Sequence, residues 1–322
     1  RIANKAQSAG LLIAGANGMG FYNVRDRVLA GGFDTRDHPY PGNVALISQS
    51  GAGMSGIVDC EQRIQFNFAV SSGYELTVAM EDYLDYALDL PETRVVGLFL
   101  ETSRYPEKLI KAFKKANQRN IPIVVLKVGR TDLAAELAIS HSGALAGSDQ
   151  CYSALFDQYG VQRVADMDQL ATTLIMFAQP KTVSEGGLVC LHDSGGERQL
   201  LIDLADSAGV PLAQFSDSTV TRLEGLLDPG LPAVNPLDAW GAGGPHAPAK
   251  MAAAFTGILN DQSAALGAVV HDRGPSSEVY SPYMAYLHQA QRATEKPVFL
   301  VANRQGSGSD ELAITSTHQG FP

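Results

Sequence analysis

The stretch 44-VALISQSGAGMSGIVD-59 runs from a short apolar segment through a Ser-Gly turn into a second apolar-periodic segment. A run of that kind, closed by glycine and followed by helix signals, reads as a buried strand, a tight turn and a helix. The same grammar returns at 187-GLVCLHDSGGERQLLIDL-204. In a parallel sheet such a turn lies at the carboxyl edge, where open α/β folds place their ligand sites. Glycine there lets backbone N–H groups approach an anion, and the helix dipole favours negative charge by about 0.3–1 kcal/mol, up to ~2 when partly buried. Each serine reads as well as a plain N-cap, and each glycine as a tight-turn residue. Two such helix starts in one chain shift the balance toward an anion site.

Outward from these turns, apolar runs alternate with helical patterns. Strands are expected at 11-LLIAG, 44-VALIS, 66-FNFAVS, 95-VVGLFLE, 122-PIVVLKV, 187-GLVCLHD, 266-LGAVVHD and 297-PVFLVAN. Amphipathic helices are expected near 78–89, 106–119, 148–158, 166–178, 197–208, 217–226, 247–259 and 280–293. This alternation predicts an α/β protein with parallel sheets covered by helices on both faces. The polar stretch 179-QPKTVSEGG-187 is the best internal domain boundary, with a second break near 31-GGFDTRDHPYPGN-43. Residues 1–10 read as the end of a helix and 318-HQGFP-322 as a linker, so the chain is expected to be a piece of a larger protein.

Composition bounds the function. With 322 residues, 45% hydrophobic and 18% charged, the chain reads as a soluble protein of more than one domain. No apolar run reaches the ~20 residues of a membrane span and no signal peptide opens the chain, so a cytoplasmic protein without a membrane partner is expected. Cys60, Cys151 and Cys190 lie far apart without CxxC spacing, which suggests neither a disulfide framework nor a zinc site. A net charge of −10 argues against a nucleic-acid partner but leaves room for a local anion site built from backbone N–H groups.

Histidine is the informative residue type. His38, His246, His288 and His318 sit beside proline, polar or aromatic residues and read as surface or packing residues. His192 and His271 end strands and could line a cleft. His141 differs, because 137-LAISHSGALAGSDQ-150 surrounds it with small residues and offers little to bury. Small side chains and glycine suit a segment that moves through a narrow site, although a plain loop histidine next to a helix cap at Ser148-Asp149 reads the same way. No second ligand stands at i+4, so no metal site is expected. Neither Ser-Gly turn forms the GxSxG elbow of a hydrolase. Covalent phosphorylation remains: imidazole is a competent nucleophile near neutral pH, and helix N-termini could receive the phosphoryl charge. A carboxylate on the other ring nitrogen would fix its tautomer, and Glu101, at the carboxyl end of its strand, is placed for that role or stands as an edge charge in solvent.

These residues together resemble the NDP-forming acyl-CoA synthetases, relatives of succinyl-CoA synthetase. The likeness runs nearly end to end: 15-GANGMGFYN-23 resembles the turn closing that family's CoA-binding domain, and 42-GNVALISQSGAG-53 its phosphate loop. The strand 91-PETRVVGLFLE-101 resembles the one ending in a catalytic glutamate. The segment 140-SHSGALAGSD-149, after 122-PIVVLKVGRT-131, resembles the phosphohistidine segment, and 233-AVNPLDAWG-241 the NPxD turn.

The resemblance implies two flavodoxin-like parallel-sheet domains, 41–180 with the phosphohistidine loop and 181–322. Before them, 1–40 would be the C-terminal remnant of a Rossmann-like CoA-binding domain. It implies an ADP-forming acid–thiol ligase that makes acyl-CoA from a carboxylic acid, CoA and ATP through acyl phosphate and phosphohistidine. It carries catalysis onto His141 and Glu101, phosphate binding onto Ser50, Gly51 and Ala52 and onto Ser194, Gly195 and Gly196, and CoA contacts onto Asn17 and Gly18. ATP and Mg2+ would be held by an ATP-grasp domain or subunit outside this chain, and a homo-oligomer is expected. Two other readings use the same scaffold: ligation coupled to a further reaction such as elimination (a lyase), or a non-catalytic CoA-sensing regulatory module. The retained histidine and glutamate weigh against the second. The sequence departs from the family at Ala16 and Gly18, where Pro and Cys are common, at His192-Asp193-Ser194, at Glu197, and at Tyr74-Glu75. Phe21, Tyr22 and Trp240 near these turns hint at a larger or aromatic acid.

Overall fold

A computed structural model describes residues 2–131, 133–134, 148–181, 183–271, 280–302 and 311–322. The chain divides into two units, Arg1–Ala178 and Gln179–Pro322.

The first unit is organised by β3 (Val44–Ser48), whose five residues are all buried, as the near-continuous apolar run of a strand covered on both faces requires. The other elements, in chain order, are α1 (Ile2–Ser8), β1 (Gly20–Asn23), β2 (Val28–Gly31), α2 (Gly51–Cys60), β4 (Phe66–Ser71), α3 (Met80–Ala87), β5 (Val95–Leu100), α4 (Pro106–Gln118), β6 (Ile123–Lys127), α5 (Asp149–Tyr159), β7 (Gln162–Val164) and α6 (Met167–Phe177). The sheet order is β2-β1-β4-β3-β5-β6-β7, with β4 to β7 parallel. Numbered from β3, that parallel part reads 2-1-3-4-5, the doubly wound order whose direction reverses between β3 and β5. Phe113 of α4, Leu84 of α3 and Phe156 of α5 join one core layer. Met54 of α2 and Leu174 of α6 join the layer on the other face.

Two features differ from the sequence reading. The expected strand at 11-LLIAG does not form: Leu11 and Leu12 are 61% and 83% exposed, and no described strand lies alongside to complete a hydrogen-bond ladder. Instead, residues 20–31 fold as a hairpin, and β1 pairs antiparallel with β4, so the sheet is mixed at this edge. The hairpin escaped the sequence reading because its strands are four residues each and β2 is wholly exposed.

The second unit contains β8 (Gly187–His192), α7 (Gly195–Ala208), α8 (Asp217–Leu226), β9 (Leu237–Asp238), α9 (Ala247–Leu259), β10 (Ala264–His271), α10 (Tyr280–Ala293), β11 (Val298–Ala302) and α11 (Glu311–His318). Its sheet is parallel throughout, in the order β11-β10-β8-β9. Phe255 of α9 and Tyr286 of α10 fill the core on one face, and Leu201 of α7 packs on the layer of Cys190 and Val270 on the other.

Candidate functional site

In the first unit the two strands flanking the reversal point end side by side, and each continues into a predicted site residue. After β3, Ser50 is the N-cap of α2 and its hydroxyl accepts the Gly53 N–H at 3.1 Å. The capping reading therefore holds for this serine, and it leaves the first turn of the helix, Gly51 and Ala52, at the sheet's carboxyl edge. Gly53 lets the helix approach β5, since a Cβ there would lie 3.0 Å from the Phe99 ring.

After β5, Glu101 begins a turn that neighbouring side chains hold by its backbone. The buried Gln49 carboxamide accepts N–H bonds from Glu101 at 2.7 Å and from Thr102 at 3.0 Å. It donates to the Thr102 carbonyl at 2.7 Å and to the Glu75 carboxylate at 3.0 Å. Lys127, the last residue of β6, donates from a buried ammonium to the Glu101 carbonyl at 2.7 Å and to the Val128 carbonyl. It also lies 4.8 Å from the centre of the Tyr152 ring. Burial lowers the Lys127 pKa, with Asp149 and Glu101 opposing that shift. Tyr152 accepts the Ser103 N–H at 2.8 Å, and Glu81 accepts the Tyr105 N–H at 3.2 Å.

The turn at 15–18 packs on the loop after β4. Tyr74 and Leu76 donate backbone N–H bonds to the Ala16 and Gly15 carbonyls at 2.6 and 2.8 Å. Asn17 adopts a φ of 53°. A Cβ at Gly18 would lie 2.5 Å from the Ser71 carbonyl oxygen, so this turn packs on β4 only because residue 18 is glycine. A Cβ on Gly51 would meet Met19 at 2.5 Å, so the Asn17-Gly18 turn, the Ser50-Gly51 helix start and the Glu101 turn share one edge of this unit. Among the described residues no group of three or more His, Cys, Asp or Glu side chains is placed to hold a metal ion. No described helix is long and apolar enough to cross a membrane.

The sequence reading passed over Gln49 and Lys127. A polar residue inside an otherwise buried strand end, as in IVVLK, was the available signal for the lysine. Gln49 stood inside the 42–53 segment already singled out, but its role was not legible there because it depends on the register of β3 against β5. His141 lies outside the described residues. Phe21, Tyr22 and Trp240 are half-buried and pack against the cores of their units.

In the second unit Ser194 is the N-cap of α7 without a side-chain capping bond, and Gly196 has open space around it. A Cβ on Gly195 would sit 3.6 Å from an Asp238 carboxylate oxygen, and Glu197 lies in the same first turn. Asp193 accepts a hydrogen bond from the Tyr283 hydroxyl. His192 is fully buried, and burial lowers its pKa to about 4, with Arg198 adding to the shift, so it is neutral at physiological pH. His271 is also buried and stacks on Tyr283 at 5.1 Å. His38 packs edge-on to Tyr22 and Phe66, as a packing histidine would.

Residues 41–177 match the model of the succinyl-CoA ligase like flavodoxin domain. The acetate–CoA ligase (ADP-forming) of Methanocaldococcus jannaschii is 31% identical over 76% of this chain and 35% of its own length. The alpha subunit of acetate–CoA ligase (ADP-forming) II of Pyrococcus furiosus is 31% identical over 72% of this chain and 50% of its own. This chain thus spans between a third and a half of the length of those relatives. By structure, acetyl-coenzyme A synthetase 1 of Ca. Korarchaeum cryptofilum, solved with phosphate and ADP, matches over 99% of this chain and 68% of its own, with a TM-score of 0.85 at 24% identity. That likeness is one of fold.

Proposed function

Because the chain belongs to the NDP-forming acyl-CoA synthetase family, we propose that it is the acid- and CoA-handling part of an ADP-forming acid–CoA ligase. In this reading His141 attacks the terminal phosphorus of ATP, the N–P bond forms as the P–O bond to ADP breaks, and Glu101 holds the N–H of the other ring nitrogen. A carboxylate oxygen of the acid then takes the phosphoryl group, giving acyl phosphate and free imidazole. Attack by the CoA sulfur on the acyl carbon gives acyl-CoA and releases phosphate. Ser50, Gly51 and Ala52 receive phosphate at the first helix start, and Ser194, Gly195 and Gly196 do so at the second. Asn17 and Gly18 contact CoA through a turn whose backbone lies open to close approach. ATP and its Mg2+ are assigned to an ATP-grasp domain or subunit, and the functional protein is assigned as an oligomer in the cytoplasm.

The observation that supports this best is the shared edge: helix start, Glu101 turn and Asn17-Gly18 turn come together where the strand order reverses. The test uses the full-length protein with its ATP-grasp partner. The wild type should become phosphorylated by ATP with acid-labile chemistry and ligate CoA to members of a panel of short, branched and aromatic acids. His141→Ala should lose both. Full ligation by His141→Ala would sink the reading.

A further inference from the structure

A primary carboxamide has two acceptor lone pairs and two N–H donors. Gln49 uses all four. Its oxygen faces the N–H groups of Glu101 and Thr102, and its nitrogen faces the Thr102 carbonyl and the Glu75 carboxylate. Turning the amide over would set oxygen against two acceptors and nitrogen against two donors, so only one orientation fits. Glu75 is itself fixed, accepting from the Ser72 hydroxyl at 2.8 Å and the Met80 N–H at 3.1 Å. The Arg104 guanidinium lies 3.1 Å from its other oxygen. Meanwhile the Gln49 backbone N–H donates to the Phe99 carbonyl at 3.1 Å, and the next residue is Ser50. One residue thus ties the end of β3 to the end of β5.

We propose that Gln49 is a positioning residue that sets Glu101 against the Ser50-Gly51 helix start, with Glu75 dictating which way its carboxamide points. This rests on the reading of Glu101 as the partner of His141. The turn carrying Glu101 is held through its backbone, so the place from which its side chain projects does not depend on its own carboxylate. Glutamine suits the task because asparagine is a methylene shorter and no acidic or basic side chain combines two donors with two acceptors.

Gln49→Glu separates this role from simple support of the fold. It keeps the acceptor for the Glu101 and Thr102 N–H groups but turns an oxygen toward the Thr102 carbonyl and Glu75. The charged groups around the introduced carboxyl are Glu75 from the loop after β4, Glu81 from the first turn of α3, Glu101 and Arg104 from the turn after β5, and Lys127 from the end of β6. Burial and direct contact with the Glu75 carboxylate raise its pKa, so a proton, and with it one donor, returns as pH falls. In the full-length ligase at pH 8, kcat should drop about 10- to 100-fold, the scale of a small misplacement of a catalytic group. KM for CoA and acid should stay within about twofold, since the displaced group acts in the chemical step. Relative activity should recover toward pH 6, and adding Glu75→Gln should restore part of it at pH 8. A wild-type kcat and pH profile for Gln49→Glu would overturn the proposal, as would a loss that neither lower pH nor Glu75→Gln relieves. If the wild type has no ligase activity, the functional reading fails instead. Amide hydrogen exchange then decides for Gln49: Gln49→Met should raise exchange at Glu101 and Thr102 at least about tenfold, and unchanged exchange would overturn the assignment.

Discussion

Glu75 shows what a single buried charge demands of its surroundings. Its side chain is fully buried, at a φ of 52°. Burial pushes its carboxyl pKa up, against the hydrogen bonds from Ser72, Gln49 and the Met80 N–H, and the charge of Glu81 pushes it further. A raised carboxyl pKa means that the folded state holds a proton that the unfolded chain has already released. By linkage this group makes the protein lose stability as pH rises from the ordinary glutamate range up to the folded value. Removing Arg104 should widen that window, because the buried anion loses the cation paired with it. Arg104→Ala is therefore expected to cost about 1–3 kcal/mol at pH 7, less than a fully buried pair because the guanidinium is partly solvated. The cost should shrink toward pH 5, and Glu75→Gln should flatten the pH dependence. Urea titrations at both pH values check this; an Arg104→Ala loss that is the same at pH 5 and pH 7 would contradict it.

At the scale of elements, the second unit uses a side chain where the first uses strand pairing. Asn235, ahead of the short strand β9, accepts the Cys190 N–H at 3.0 Å and donates to the carbonyls of Leu188 and Ala213 at 2.7 and 3.0 Å. It splices β8 to the segment before α8, an edge that β9 covers only at Leu191 and His192. Asn235→Ala would take away the side-chain partner of the Cys190 N–H and the Ala213 carbonyl, while the Leu188 carbonyl keeps the Ala213 N–H at 3.0 Å, for an expected loss of about 2–4 kcal/mol. Asn235→Asp should not rescue it, because the carboxylate keeps the acceptor but turns an oxygen toward the Leu188 and Ala213 carbonyls. Chemical denaturation of the chain would show an unchanged midpoint for Asn235→Ala if the clasp contributed nothing. This also marks what the sequence could tell. Helix 217–226 and helix 280–293 were readable to the residue because period and capping are local properties. The Ser50 helix start and the strand ending at Glu101 were readable for the same reason. The clasps of Gln49 and Asn235 were not, because each joins segments 22 to 53 residues apart whose register only the folded sheet defines. Strand 11–15 failed from the opposite side: its composition suits a strand, but a strand needs a neighbour to pair with.

For the molecule as a whole, the cores decide what can stand alone. The first unit has an apolar layer on each face of its sheet, one around Leu98, Phe113 and Phe156 and one around Leu46, Met54 and Leu174. The second has its own, around Phe255, Ile258 and Leu287, with a smaller layer at Cys190 and Val270. The cut between Ala178 and Gln179 falls in the stretch that the sequence marked as breaker-rich, and it severs no strand or helix. Fragments 1–178 and 179–322 are both within the usual range for independent domains. Each is therefore expected to fold alone, with a single cooperative urea transition and native-like far-UV circular dichroism. The slopes of the two transitions should sum to about that of the whole chain, since slope follows the surface exposed on unfolding. Among the described residues, the layer around Cys190 and Val270 is the thinnest of the four, and on that basis 179–322 is expected to be the less stable of the two. A fragment that remains unfolded in buffer, with its core intact in sequence, would show that these two units do not each hold a sufficient core.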